Sequence, residues 1–203
     1  MYTPGDILLV RDYSGQGDLI GNLILAGSTA RHGQGFATHS ACIVSPQGDL
    51  IEALEQGVAT SHISKYQGKE TRIVQFPAAF GDARRLFAVR FWQSCVGQPY
   101  GNLGFVSLAV SILFGIKAGV DVNKMPICSQ LASRPTESMT EQGWAWPPEE
   151  MMPDDIAVQM GVLPAGAPVG FGGRVLLLFK ALYWGVAPWK HGIRPTSWKE
   201  ETA

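Results

Sequence analysis

Apolar residues recur along the chain in two rhythms, and the changes between them mark out its elements. Behind Thr3-Pro4-Gly5, the run Ile7-Leu8-Leu9-Val10 is short, continuous and bounded by Asp6 and Arg11, as in a core strand. Leu19, Ile20, Leu23 and Ile24 then follow at helical spacing, with Asp18 placed to cap a helix and glycine at its end. From Thr38 the stretch THSACIVSPQGDLIEALEQGVATSHI holds two β-branched, apolar runs separated by the turn formers Ser-Pro-Gln-Gly-Asp, which predicts a β-hairpin. TRIVQFP, from Thr71 to Pro77, predicts a further strand closed by its proline. Ala83, Leu86, Phe87, Arg90 and Phe91 at helical intervals, with Asp82 ahead and Gly97 beyond, predict an amphipathic helix.

The run LGFVSLAVSILFGI, Leu103 to Ile116, is about 14 residues, short of the ~20 that a membrane span needs, and reads as a buried helix. A helix starting at Cys128 follows it. From Thr136 onward Pro, Gly, Trp and Met dominate, predicting mostly loop with one basic-apolar helix, GRVLLLFKALYW. The expected class is α+β. Residues 1–160 form the main domain and 161–203 an apolar, basic extension.

Composition narrows the function classes. Only 16% of the 203 residues are charged, against roughly 25% in an average soluble protein. The surface is therefore poor in charge, or part of it is covered by a partner or a lipid. Sixteen basic residues against 17 acidic give a net charge of −1, without the electrostatic footprint of a nucleic-acid binder. Cys42, Cys95 and Cys128 are too few and too far apart for a disulfide framework or a paired-cysteine zinc site, so reduced thiols are expected and neither metal nor cofactor is implied. The N-terminus lacks the basic and apolar regions of a signal peptide, so the expectation is a cytoplasmic or particle-associated protein.

Cys128 is the residue with candidate chemistry. In the first turn of a helix a thiol sees unsatisfied N–H groups and the positive end of the dipole, both of which favour thiolate. A nucleophilic thiol needs a base, and the base an orienting partner. His39, at the start of a strand, is the candidate base; alternation puts it on one face with Ala41 and Ile43. Glu52 is a carboxylate among apolar neighbours, where an unpaired charge is costly, and is the candidate orienting group. A four-residue turn, Pro46 to Asp49, sets Glu52 opposite Ile43 and on the His39 face, diagonal to His39. A three-residue turn sets Glu55 opposite His39 instead. His32 in a Gly-rich loop, His62 after a strand and His191 in the tail are weaker candidates.

The order PGDILLV, THSACIV, LIEAL, GQPYG, CSQLAS resembles that of the permuted NlpC/P60 cysteine hydrolases, most closely the YiiX/YebB-like branch. The likeness covers roughly Thr3 to Asp155 and implies a circularly permuted papain-like fold, with a small antiparallel sheet packed on the helix that bears the cysteine. It implies Cys128 as nucleophile, His39 as base and Glu52 as the residue orienting the imidazole. Tyr100 of GQPYGN is a possible oxyanion support. Two features depart from the family: Gln130 stands where an acidic residue is common, and Lys117 to Met125 reads as an insertion. The implied activity is cleavage of an amide or ester bond, foremost a peptide or amide bond of peptidoglycan. The alternatives are a lipid-directed thiol hydrolase or acyltransferase, and a structural protein of a phage particle that retains the fold. The extension combines an apolar stretch with Arg174, Lys180, Lys190, His191, Arg194, Lys199 and the tryptophans Trp184, Trp189 and Trp198. It is expected either to dock on the core or to contact a membrane surface or protein partner.

Overall fold

Strand β1, Ile7–Arg11, alternates between two cores. Ile7 and Leu9 point into one, with Cys42, Ile51, Trp92 and Leu131; Leu8 and Val10 point into the other, with Ala41, Ile43, Leu50 and Tyr66. This computed structural model describes residues 1–11, 19–78, 81–100, 127–137 and 151–186, with side chains through Tyr183. Asp18, the apolar run Leu103–Ile116, the stretch Lys117–Met125, the Trp184 side chain and the tail carrying His191 lie outside the described residues.

Four more strands complete an antiparallel sheet of order β4-β3-β2-β1-β5. They are β2, His39–Ile43, β3, Asp49–Leu54, β4, Gly57–His62, and β5, Glu70–Val74. The predicted hairpin is present, but its second run continues through a tight turn at Glu55-Gln56 into β4. Gly57 adopts φ +117°, and a Cβ there would meet the Gln98 carbonyl oxygen at 2.7 Å. That close approach ties β4 to the segment before Tyr100, since Val58 donates to the Gln98 carbonyl at 2.8 Å.

Five helices accompany the sheet among the described residues: α1, Leu19–His32, α2, Gly81–Cys95, α3, Cys128–Thr136, α4, Pro153–Gln159, and α5, Phe171–Val186. A short 3₁₀ helix, Ile63–Tyr66, follows β4. Helix α1 does not stop at Gly27 as its spacing predicts. It runs on to His32 because Ala26, Gly27 and Ala30 are buried, which offsets the ~1 kcal/mol that a helical glycine costs. His32 is therefore the end of a helix and not part of a loop. Helix α4 is unpredicted; it arises within the Pro- and Met-rich stretch that reads as loop.

Helices α2 and α3 cover the Ile7, Cys42 and Ile51 face. Trp92 is fully buried between them, and its indole donates to the Leu131 carbonyl at 2.8 Å. Truncating an aromatic buried this way costs about 3–5 kcal/mol, so this contact helps seat the cysteine helix. Asp6, the charge that interrupts the first apolar run, pairs with Arg85 of α2 at 2.6 Å and so fastens β1 to that helix. Helix α5 packs on α1, burying Ala181 against a cluster that contains Leu23, Ile24, Ala26 and Ala30. Val169, just ahead of α5, donates to the Ala30 carbonyl at 2.9 Å. The first part of the extension is thus docked on α1. No helix of the described residues is long and apolar enough to cross a membrane.

Candidate active site

The register of the β2–β3 pair determines which carboxylate meets His39. Cys42 pairs with Ile51 and Ile43 with Leu50, around a loop of Ser45 to Gly48 in which Val44 donates to the Asp49 carbonyl at 2.9 Å. The predicted pairing of Glu52 with Ile43 is therefore corrected by two residues. Side chains alternate with period two, so a shift of two leaves Glu52 on the His39 face. Glu52 is fully buried, and its Oε2 lies 2.8 Å from His39 Nε2. Glu55 is exposed in the β3–β4 turn.

Two residues that the sequence reading missed complete the surroundings of Glu52. Lys65 Nζ donates to Oε1 at 2.8 Å, and the Tyr66 hydroxyl donates to Oε2. Both come from the 3₁₀ helix, which lacks any periodic signal, and only the fold returns it over β3. Burial opposes ionisation of Glu52, yet the hydrogen bonds and charges of His39 and Lys65 hold its carboxyl well below the usual carboxylate range.

Cys128 begins α3, behind Ile127 in extended conformation. Gln130 is the departure from the acidic residue, and its Oε1 accepts from the Ile127 N–H at 3.3 Å. It thereby supplies half of a capping box. His39 interacts with the Cys128 thiol, and the backbone amide of Ser40 also favours its charged form. Ser40 was also missed, because strand alternation directs it away from the His39 face. With Nε2 engaged by Glu52, Nδ1 is the imidazole nitrogen left for the thiol. Burial works against the charged thiolate, and the His39 contact overcomes it, so the Cys128 pKa is lowered from the ordinary thiol value. Burial likewise opposes the imidazolium, but hydrogen bonds to Cys128 and Glu52 raise His39 to about 9. Burial instead raises both of the other thiols, Cys42 and Cys95. All three cysteines are free.

The structure thus brings Cys128, His39 and Glu52 together. Tyr100 is buried in the core cluster that holds Trp92, Ile127 and Leu131. His62 sits at the end of β4, where it caps the 3₁₀ helix by accepting from the Ser64 N–H. His32 pairs with Asp155 at 2.5 Å, remote in sequence and unforeseen. Among the described residues, no group of three or more His, Cys, Asp or Glu is placed to hold a metal ion. Compared with protein-family models, curated proteins and solved structures, the chain matches none of them.

Proposed function

We propose that the chain is a cysteine hydrolase with a circularly permuted papain-like fold of the NlpC/P60 type, cleaving an amide or ester bond. One observation carries this reading: a single imidazole joins a thiol at a helix N-terminus to a fully buried carboxylate. The Cys128 thiolate attacks the carbonyl carbon, and the oxyanion is held by N–H groups of the first turn of α3, which have no intrahelical acceptor. His39 gives its proton to the departing amine or alkoxide as the acyl–thioester forms. Water then attacks the thioester, His39 takes a proton from it, and the acid leaves as the thiolate is restored. Glu52 holds the imidazole and stabilises its charged form.

The first substrate reading, a peptide or amide bond of peptidoglycan, follows from the sequence resemblance. A second, an acyl chain or lipid ester with hydrolysis or acyl transfer at the same thiol, is favoured by the apolar surroundings. Cys128 shares a cluster with Leu23, Ile24, Met152 and Ala181, with Leu177 and Leu178 of α5 packed against it. The outer face of α5 exposes Phe171, Leu176, Phe179, Leu182 and Tyr183. At 3.6 residues per turn Arg174 and Lys180 fall on the two borders of that face, and α5 has no acidic residue, a pattern that suits an anionic membrane surface.

Labelling with iodoacetamide at neutral pH, followed by peptide mapping, tests the proposal. Cys128 is expected to react first, and peptidoglycan fragments or a lipid ester to protect it according to which is the substrate. Preferential modification of Cys42 or Cys95 would remove the assigned nucleophile and leave the particle-scaffold reading in its place.

A further inference from the structure

The segment Met151 to Asp155 touches both arms of the site without contributing to its chemistry. We propose that Asp154 is a positioning residue, which holds the histidine strand and the cysteine helix in one frame so that His39 and Cys128 meet in register. The inference rests on the cysteine-hydrolase reading.

Asp154 is 1% exposed. Its two oxygens accept from successive amides, Phe36 N–H at 2.6 Å and Ala37 N–H at 2.9 Å. These residues lie three and two positions ahead of His39, and Thr38 then donates to the Val10 carbonyl at 3.0 Å as β2 begins. On the other side the Met151 carbonyl accepts from the hydroxyl of Ser129, the neighbour of Cys128. A short bonded path therefore runs from Ala37 through Asp154 and Met151 to Ser129. The segment is anchored from behind as well: Asp155 pairs with Arg31 at 2.5 Å and His32 at 2.5 Å, and accepts from the Met152 N–H at 2.7 Å.

A carboxylate is suited to this task in a way that a neutral group is not. It receives two adjacent N–H donors at once through short, charge-assisted bonds, and so fixes both the position and the direction of the chain that enters β2. An asparagine has one acceptor oxygen and turns an NH₂ against the second amide. Misplacing a reacting group by about 1 Å can cost a hundredfold in rate, so the tie matters more for chemistry than for folding.

The test is the pH dependence of Cys128 alkylation by iodoacetamide in the full chain, beside the melting temperature. Asp154→Asn is expected to melt cooperatively while its alkylation midpoint rises by about one pH unit. Ser129→Ala, which releases the other end of the tie, is expected to shift the midpoint less and in the same direction. Asp155→Asn is expected to lower the melting temperature and leave the midpoint in place. Unchanged midpoints in both Asp154→Asn and Ser129→Ala would overturn the proposal, and Ser129→Ala decides it if Asp154→Asn does not fold. An equal shift in Asp155→Asn would trace the effect to general loosening and overturn it too. If wild-type Cys128 labels at pH 6 no faster than Cys42 and Cys95, the hydrolase reading itself fails first; a depressed wild-type midpoint with unmoved variants refutes the positioning role alone.

Discussion

Two histidine–carboxylate pairs lie among the described residues, and they have different consequences. His39 meets Glu52 at 2.8 Å, and His32 meets Asp155 at 2.5 Å. Both carboxylates are buried and both rings are partly exposed. Asp155, however, is shared with Arg31 and with the amide that opens α4, so its charge is spent on joining α1 to α4. Glu52 is shared as well, with Lys65 and Tyr66, but its histidine also interacts with the thiol at the start of α3. A histidine and a buried carboxylate make a strut in one place and a candidate catalytic relay in the other. What separates them is the third partner.

The largest expected effect breaks the comparison directly. His39→Ala is expected to lower the rate by about 10² to 10⁴, the usual cost of losing a general base. His32→Ala is expected to keep the rate and lose roughly 1–3 kcal/mol of stability, because one partner of a mostly buried pair is removed. Paired measurements of turnover and melting decide it; equal loss of rate in both would make the two pairs alike.

The pH profile sharpens the comparison. In the proposed mechanism the reacting form is thiolate with imidazolium, so activity is expected to rise as Cys128 ionises below the ordinary thiol range and to fall as the pair loses the imidazolium proton at about pH 9. Glu52→Gln withdraws a group that raises the His39 pKa, so the alkaline limb is expected to move down by about one to two pH units. Its loss of rate is expected to be smaller than that of His39→Ala, and Glu55→Gln is expected to change neither rate nor limb. Glu52 also has a stability signature of defined sign. A carboxyl held below its ordinary value contributes in full above about pH 4.3, and the contribution is lost as pH falls. The gap in melting temperature between wild type and Glu52→Gln is therefore expected to narrow from pH 6 to pH 3.

The smallest effect on the fold is expected at α5. Phe179 is 66% exposed, so Phe179→Ser combined with Phe171→Ser is expected to change stability by about 0.5 kcal/mol or less per site. Co-sedimentation with anionic vesicles should fall in this variant if the face meets a membrane. Unchanged sedimentation would limit α5 to its docking role on α1.

Local physics carried much of this into the sequence. The continuous run Ile7 to Val10, the turn formers between β2 and β3 and the apolar spacing of α1 each encode an element within a few residues, because strand alternation, turn chemistry and helical period are local properties. The sequence leaves two turn lengths open, one with Glu52 on the His39 face and one with Glu55 opposite His39; the structure has the parity of the first, in a register shifted by two. Cys128 could be placed at a helix start from its flanking residues. Tertiary structure decided which groups these side chains meet. Lys65 and Tyr66 reach Glu52 only when the 3₁₀ helix folds back over β3; Ser40 influences the thiol only because α3 packs on β2; Asp154 finds the amides ahead of His39 across more than a hundred residues of sequence. Packing also extended α1 past Gly27 and made His32 a structural anchor. Periodicity specifies which side of an element is buried, but burial is non-directional, so the identity of the neighbour across the core belongs to the assembled fold.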